Sequence, residues 1–361
     1  MSEYIEYKDK VTFHPGYYIK EIIEDMGLTQ EDFAKRLGTT PKNLSLVSRG
    51  EQSLSADMAM KLSRLTGTSM EYWQNLQSAY DAALVRIAAD EELEEEKLVL
   101  KDLGYAYFRD YFGLPNLARK TKEQVEAVRQ FLQVSSLSVL RNRDMAVSFR
   151  SAAGNMDEAH IARANAMVQI AANKALTCEA PKFDKREFEK AVRYALTQTK
   201  NHEGFYPVVR DAFLKAGVVF VLLPNLPGSK MNGATKKIGS SIMLLVNDRR
   251  LYSDTFWFTL LHEVGHIMHG DYGISFESES GEAEELADSF AQNALIDSDE
   301  YQRFVRRCGP IFGVHAVQVF ADLIDRDPGI VLGRLQNDGY VAHNDRSMQP
   351  LRCKYKVLVG Q

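Results

Sequence analysis

Apolar residues recur at three- and four-residue spacings from Tyr17 to about Tyr80, in short runs closed by Gly27, Gly38, Gly50 and Gly67. That spacing lines one face of an α-helix, and glycine just past the last apolar position marks a helix C-terminus. The pattern predicts several short helices, preceded by an arm over residues 1–12. Thr29 stands before Gln30-Glu31-Asp32 as a capping-box-like start, with Asp32 where Glu or Gln is usual. Residues 81–100 read as a further helix, whose acidic run from Asp90 to Glu96 is a solvated face. Residues 101–215 keep the helical spacing, with breaks at Gly104, Pro115, Gly154 and Pro181. At Gly217 the period changes. Residues 218–224 and 241–247 are short apolar runs of β type, read as neighbouring strands of a small sheet with a turn-rich connection between them. Helices follow at about 254–269, 282–296, 299–308, 315–325 and 329–337. The expected fold is mainly α with a small β-sheet.

Composition narrows this only a little. The chain has 361 residues, room for two or three domains. Its 45% hydrophobic and 26% charged residues are ordinary for a soluble globular protein. No run of about 18 apolar residues predicts a membrane span. The polar start MSEYIEYKDK is unlike a secretory signal, so a cytoplasmic location is expected. Cys178, Cys308 and Cys353 are odd in number and far apart, which argues against a disulfide framework or a thiolate zinc site. The net charge of −5 does not by itself point to nucleic acid.

Local pattern does point there. Gln30–Leu37 and a second helix from Thr40/Pro41 to Val47, joined at Gly38, have the dimensions of a helix-turn-helix, whose second helix lies in the major groove. Ala34 is small enough for close packing, and Pro41 sits in a first turn, where its missing N–H costs nothing. Leu44 and Val47 face inward with Phe33 and Leu37. Thr40, Lys42, Asn43, Ser45, Ser48 and Arg49 then face outward. Lys42, Asn43 and Ser45 are assigned to base edges, Thr40 and Arg49 to phosphates. Residues 1–80 hold nine Lys and Arg against eleven Asp and Glu, so non-specific affinity should be modest and salt-sensitive.

A second motif lies in LYSDTFWFTLLHEVGHIMHGD. On a helix, residues i and i+4 are about 40° apart, so His262 and His266 can hold one metal from one face. Neutral imidazoles suit Zn²⁺. Glu263 is placed to take a proton from water activated by the metal. A catalytic zinc needs a third ligand and an open position. Glu284 in GEAEELADSFAQNAL has suitable spacing, and Asp288, one turn on, would accept from a histidine N–H. Glu282 and Glu285 are rival ligands whose ordinary reading is a charged first turn. His269 lies on the face of His262 and is expected beside the metal without binding it.

Two resemblances add to these readings. Phe13-His14-Pro15-Gly16, GLTQEDFAKRLGTT and LSADMAMKLSRLTGTSMEYWQNLQSAYD resemble the HigA-type antitoxin branch of the Cro/CI-like helix-turn-helix family, over about residues 13–81. That likeness implies an all-helical, usually dimeric domain, which binds double-stranded operator DNA and often pairs with a RelE- or HigB-like toxin. In it, Tyr72 and Trp73 are core or dimer-packing aromatics. AGVVFVLLPNLPGSKMNGAT, DTFWFTLLHEVGHIMHG, GEAEELADSFAQNALI and DPGIVLGRLQNDG resemble the ImmA/IrrE family of zinc metallopeptidase-like proteins, over about residues 205–340. By that likeness His262, His266 and Glu284 are ligands, Glu263 is the catalytic base, and repressor-type proteins are substrates. Asp297 departs from a proline common at that position.

The expected organisation is a helix-turn-helix domain over 1–82, a helical connector over 83–204, a gluzincin-like α+β domain over 205–345 and a tail over 346–361. The expected function is a DNA-binding regulator of the HigA antitoxin type carrying a zinc-dependent endopeptidase domain. The alternatives are a non-enzymatic DNA-binding sensor and a toxin-neutralising antitoxin, whose zincin-like part binds metal or a partner without proteolysis.

Overall fold

The computed structural model of the chain describes residues 4–8, 10–143, 145, 157–250, 252–276, 281–309 and 311–357. The break expected at Gly154 and the end of the expected tail lie outside them. The chain divides into two compact units, Met1–Glu95 and Glu96–Gln361.

The first unit opens on an antiparallel hairpin, β1 (Tyr4–Tyr7) and β2 (Lys10–Phe13), with Tyr4 opposite Phe13 and Tyr7 opposite Lys10. This corrects both the expected arm and the all-helical domain. The hairpin has physical reasons to form. Lys8 turns the chain at φ 58°, the Tyr4 and Phe13 rings lie 5.9 Å apart across the strands, and Ile5 is buried against Tyr80 and Ala83.

Five helices follow: α1 (Pro15–Asp25), α2 (Gln30–Leu37), α3 (Pro41–Ser48), α4 (Ala56–Thr66) and α5 (Met70–Leu103). Local chemistry sets the α2–α3 turn. Thr29 Oγ1 accepts from the Asp32 backbone N–H at 3.1 Å and donates to its carboxylate at 2.8 Å. Gly38 ends α2 in the left-handed region at φ 67°, and Thr40 caps α3 through the Asn43 N–H. Phe33, Ala34, Leu37, Leu44 and Val47 are buried together with Trp73, whose Nε1 donates to Thr68 Oγ1 at 2.7 Å. Tyr72 is exposed.

The helices α1 and α3 meet backbone to backbone. A Cβ on Gly16 would stand 2.2 Å from Val47 O and 2.7 Å from Ser48 O. That contact corrects the expectation for Ser48, which is buried under α1 rather than outward. Glu96, last of the acidic run, is likewise buried, accepting from the Leu137 N–H at 2.7 Å with Arg129 Nε at 3.4 Å.

In the second unit come α6 (Tyr105–Phe112), α7 (Thr121–Leu132), α8 (Glu158–Leu176), α9 (Lys185–Leu196) and α10 (Phe205–Lys215). Then follow β3 (Val218–Leu223), β4 (Met231–Ile238), β5 (Ser241–Asn247), α11 (Ser253–His269) and β6 (Gly273–Phe276). The last helices are α12 (Glu282–Leu295), α13 (Ser298–Cys308), α14 (Val314–Leu323) and α15 (Pro328–Asn337). The sheet order is β3-β5-β4-β6, with β3 parallel to β5 and β4 antiparallel to both its neighbours. The expected strand neighbours are thus paired. The connection between them, expected as turns, contains β4: this strand is hydrogen-bonded on both sides, so pairing overrides its weak β propensity. The core joins Leu244 and Val246 of β5, Trp257, Leu260, Leu261 and Val264 of α11, and Leu332 and Leu335 of α15. It buries one flank of α11 and fixes where its histidines emerge.

Candidate metal centre and nucleic-acid interface

The helix α11 carries His262, Glu263 and His266, all buried, and ends at Gly270 in the left-handed region. Gly265 brings in the next helix: a Cβ there would stand 3.0 Å from Ala287 Cα, so α12 packs directly against it. Close packing delivers Glu284, in the first turn of α12, to the histidines. His262 Nε2 lies 3.0 Å from Glu284 Oε2, His266 Nε2 lies 3.3 Å from Oε1, and the two Nε2 atoms are 3.0 Å apart. Among the described residues, these three form a group able to hold a metal ion, with ligand atoms all within 4.8 Å of one another. Glu282 and Glu285 are exposed and stand outside it.

Each imidazole is held from behind. Asp288 Oδ1 is 2.8 Å from His262 Nδ1, as its spacing suggested. Asp271 Oδ2 is 2.9 Å from His266 Nδ1 and was missed by sequence reasoning. Its signal is an acid directly after the glycine that ends the helix. These contacts direct both Nε2 atoms toward one point. His269 turns back on its own helix, its Nδ1 2.7 Å from Gly265 O, and does not join the group. Burial pulls His262 down, but hydrogen bonds to Asp288 and Glu284 outweigh it and lift the imidazole to about 10. Burial would raise Glu284, but the two histidines hold it well below the usual carboxylate range.

Glu263 is fully buried beside β4. A Cβ on Gly233 would stand 2.6 Å from its Cγ and Oε1, so only glycine leaves room for this carboxylate. The register shift between Met231 and Gly233 falls at the same place. The Gly233 position was also not singled out from sequence, where MNGAT reads as a turn.

In the first unit, Thr40, Lys42 and Arg49 are exposed, and Asn43 and Ser45 are half-buried. Thr40 Oγ1 caps α3. Arg49 pairs with Glu51 at 3.1 Å, and both are exposed. The Asn43 amide is fixed at both ends, donating to Thr39 Oγ1 and accepting from Gln52 Nε2, each at 3.0 Å. Thr39 and Gln52 therefore belong to the same surface and were not foreseen. Lys61, paired with Asp57, places its ammonium 3.1 Å from Gly38 O at the turn.

The helix-turn-helix family model matches residues 19–73, which hold α2 and α3 and exclude the metal centre. Virulence-associated protein A' of Dichelobacter nodosus is 38% identical over 73 residues, 20% of this chain and 64% of that protein. The uncharacterised HTH-type transcriptional regulator YddM of Escherichia coli K12 is 33% identical over 69 residues, 19% of this chain and 73% of that protein. A solved putative antidote protein of a plasmid maintenance system from Nostoc punctiforme is 30% identical, over 23% of this chain and 92% of that one, with a TM-score of 0.23. The chain thus spans just under two thirds of the virulence-associated relative. No described helix is long and apolar enough to cross a membrane. Through its N-terminal module, the chain belongs to the helix-turn-helix family.

Proposed function

We propose that the chain is a DNA-binding transcriptional regulator whose second unit is a zinc-dependent endopeptidase of the ImmA/IrrE kind. One observation carries the peptidase half: two imidazole Nε2 atoms and a carboxylate converge, with a buried Glu263 on the same helix. The donor set fits zinc. Tetrahedral bonds of about 2.0–2.1 Å place ligand atoms roughly 3.3 Å apart, and the spacings are 3.0, 3.0 and 3.3 Å. Three protein ligands leave a fourth position open, as a catalytic site requires.

His262, His266 and Glu284 would hold the ion, and Asp288 and Asp271, each beside an Nδ1, would fix the rings so that Nε2 faces it. Zinc in that position supplies a Lewis acid that acidifies water and polarises a carbonyl. Glu263 then takes a proton from the attacking water and returns it to the leaving amide nitrogen. Its burial against Gly233 keeps the carboxylate from swinging away. In the first unit, Lys42, Asn43 and Ser45 would face base edges, and Thr40 and Arg49 phosphates. A toxin-linked operon as the setting and operator binding as a dimer both follow from the HigA resemblance. Repressor-type proteins are the proposed substrates.

The test is expression of wild type and Glu263→Gln in the same cells, with new protein N-termini labelled and sequenced. Both should bind about one zinc per chain and the same operator, and only wild type should create new termini. Identical termini in the two strains would leave the metal centre as a non-enzymatic sensor.

A further inference from the structure

Two exposed stripes carry opposite charge. On α5, Leu84, Ala88, Glu91, Glu95 and Leu98 recur at four- and three-residue steps, which is one helix face, and all five are exposed. Leu98 is 57% exposed. Among the described residues, the carboxylates of Glu91 and Glu95 have no ion-pair or hydrogen-bond partner. A singly exposed leucine is ordinary, whereas a row at helix period is the face by which a helix lies in a groove.

The answering surface lies on α13 and α14. The short connection from Gly309 to Gly313 makes them an αα-hairpin, and Phe304 stacks on Phe320 with ring centroids 4.2 Å apart. Arg303 and Arg307 stand one residue before and three after Phe304, and Val319 and Leu323 stand at the same offsets from Phe320. In antiparallel helices equal offsets fall on one side of the ring stack. Leu323 is 73% exposed, and Ile311 in the connection 83%. Both arginines are exposed, and among the described residues neither has a partner. The nearby acids Asp322 and Asp325 are taken by Lys200, at 3.2 and 3.1 Å.

We propose that these stripes meet between two copies of this chain, α5 of each lying across α13 and α14 of the other. Glu91 with Glu95, Arg303 with Arg307, and Val319 with Leu323 each repeat after one helical turn, about 6 Å along the axis. The acids therefore pair with the arginines in register, and Leu98 covers Val319 and Leu323. Exchange in both directions makes the contact twice and closes the dimer. A nucleic-acid backbone would answer the arginines but leave Ile311, Val319 and Leu323 wet. The inference rests on the dimeric reading above, whose surfaces it names, and it is independent of the zinc chemistry.

The experiment is sedimentation equilibrium of the full chain in four forms: wild type, Arg303→Glu with Arg307→Glu, Glu91→Arg with Glu95→Arg, and all four changes together. Wild type should dimerise with a Kd of about 10 μM or tighter. Each reversed pair should weaken the dimer at least about tenfold, and the fourfold variant should recover to within about threefold of wild type. Recovery shows that the reversed pairs lost contact rather than fold. A dimer that survives both reversals overturns this interface and leaves dimeric operator binding standing. A fourfold variant as weak as either reversed pair overturns the interface too. Wild type that stays monomeric overturns both readings.

Discussion

Replacing Gly265 by alanine sets two effects against each other. Inside α11, alanine is favoured over glycine by roughly 1 kcal/mol. Against that, the new Cβ would stand 3.0 Å from Ala287 Cα and 3.2 Å from both Ala287 O and Phe290 Cβ. Ordinary contact begins near 3.4 Å, so α12 must retreat by about 0.4 Å, and its backbone cannot rotate out of the way. Overpacking of this kind costs about 1–3 kcal/mol, which leaves a net loss between near zero and about 2 kcal/mol. Stability therefore moves little, whereas metal affinity moves more. Glu284 rides on the retreating helix, and ligand distances tolerate only about 0.2 Å. Zinc affinity should fall roughly ten- to a hundredfold, the range seen when a ligand's support is disturbed. Competition against a chromogenic zinc chelator measures this, beside thermal melting of the zinc-free protein. A variant that melts higher and binds zinc like wild type would refute the claim that close helix approach delivers Glu284.

Three further outcomes are expected. Gly16→Ala should cost about 3 kcal/mol or more, because its Cβ would meet Val47 O at 2.2 Å; hydrogen exchange should show protection lost from α1 to α4 and kept in the second unit. Asp271→Ala should weaken zinc about tenfold or more, and by more than Asp288→Ala, since the Asp271 side chain is 33% exposed against 49% for Asp288; metal titration of both variants checks the order. Asp338 is the acid-sensitive case. Burial would raise it, but hydrogen bonds from Arg334 first and Tyr301 next hold it below its ordinary 3.8. A lowered carboxyl contributes stability that is fully present above 3.8 and lost as the pH falls through the lowered value. Asp338→Asn should therefore melt below wild type at neutral pH, with the gap closing in acid.

Much of this was legible because it is local. Thr29, Gly38, Thr40 and Pro41 announce the ends of α2 and α3 through their own backbone chemistry. The apolar runs of β3 and β5 need no partner to be recognised. The spacing from His266 to Glu284 and Asp288 singled out the residues that α12 brings up to the histidines. What stayed hidden depends on distant neighbours. The strand β4 is poor in β-branched residues and exists because β5 and β6 bind both its edges. Ser48 reads as outward on α3 until Gly16 of α1 covers it. Glu96 sits in a run of solvated acids, and only the Leu137 N–H and Arg129 explain its burial. The hairpin before α1 carries its charges at Glu6, Lys8, Asp9 and Lys10, and its one buried side chain among the described residues, Ile5, is anchored by Tyr80 and Ala83 far along the chain.

The contact between Gly16 and the carbonyls of Val47 and Ser48 has a consequence for how the module can change its target. The frame holds α3 through main-chain atoms and through Leu44 and Val47, none of which faces outward. Exposed Lys42 and half-exposed Ser45, the positions proposed to face base edges, bear no part of that attachment. On the proposed base-reading role, new side chains there would alter which sequence is read without altering where the helix sits, and lineages could exchange operators by substitution at a few surface sites while the scaffold is inherited whole.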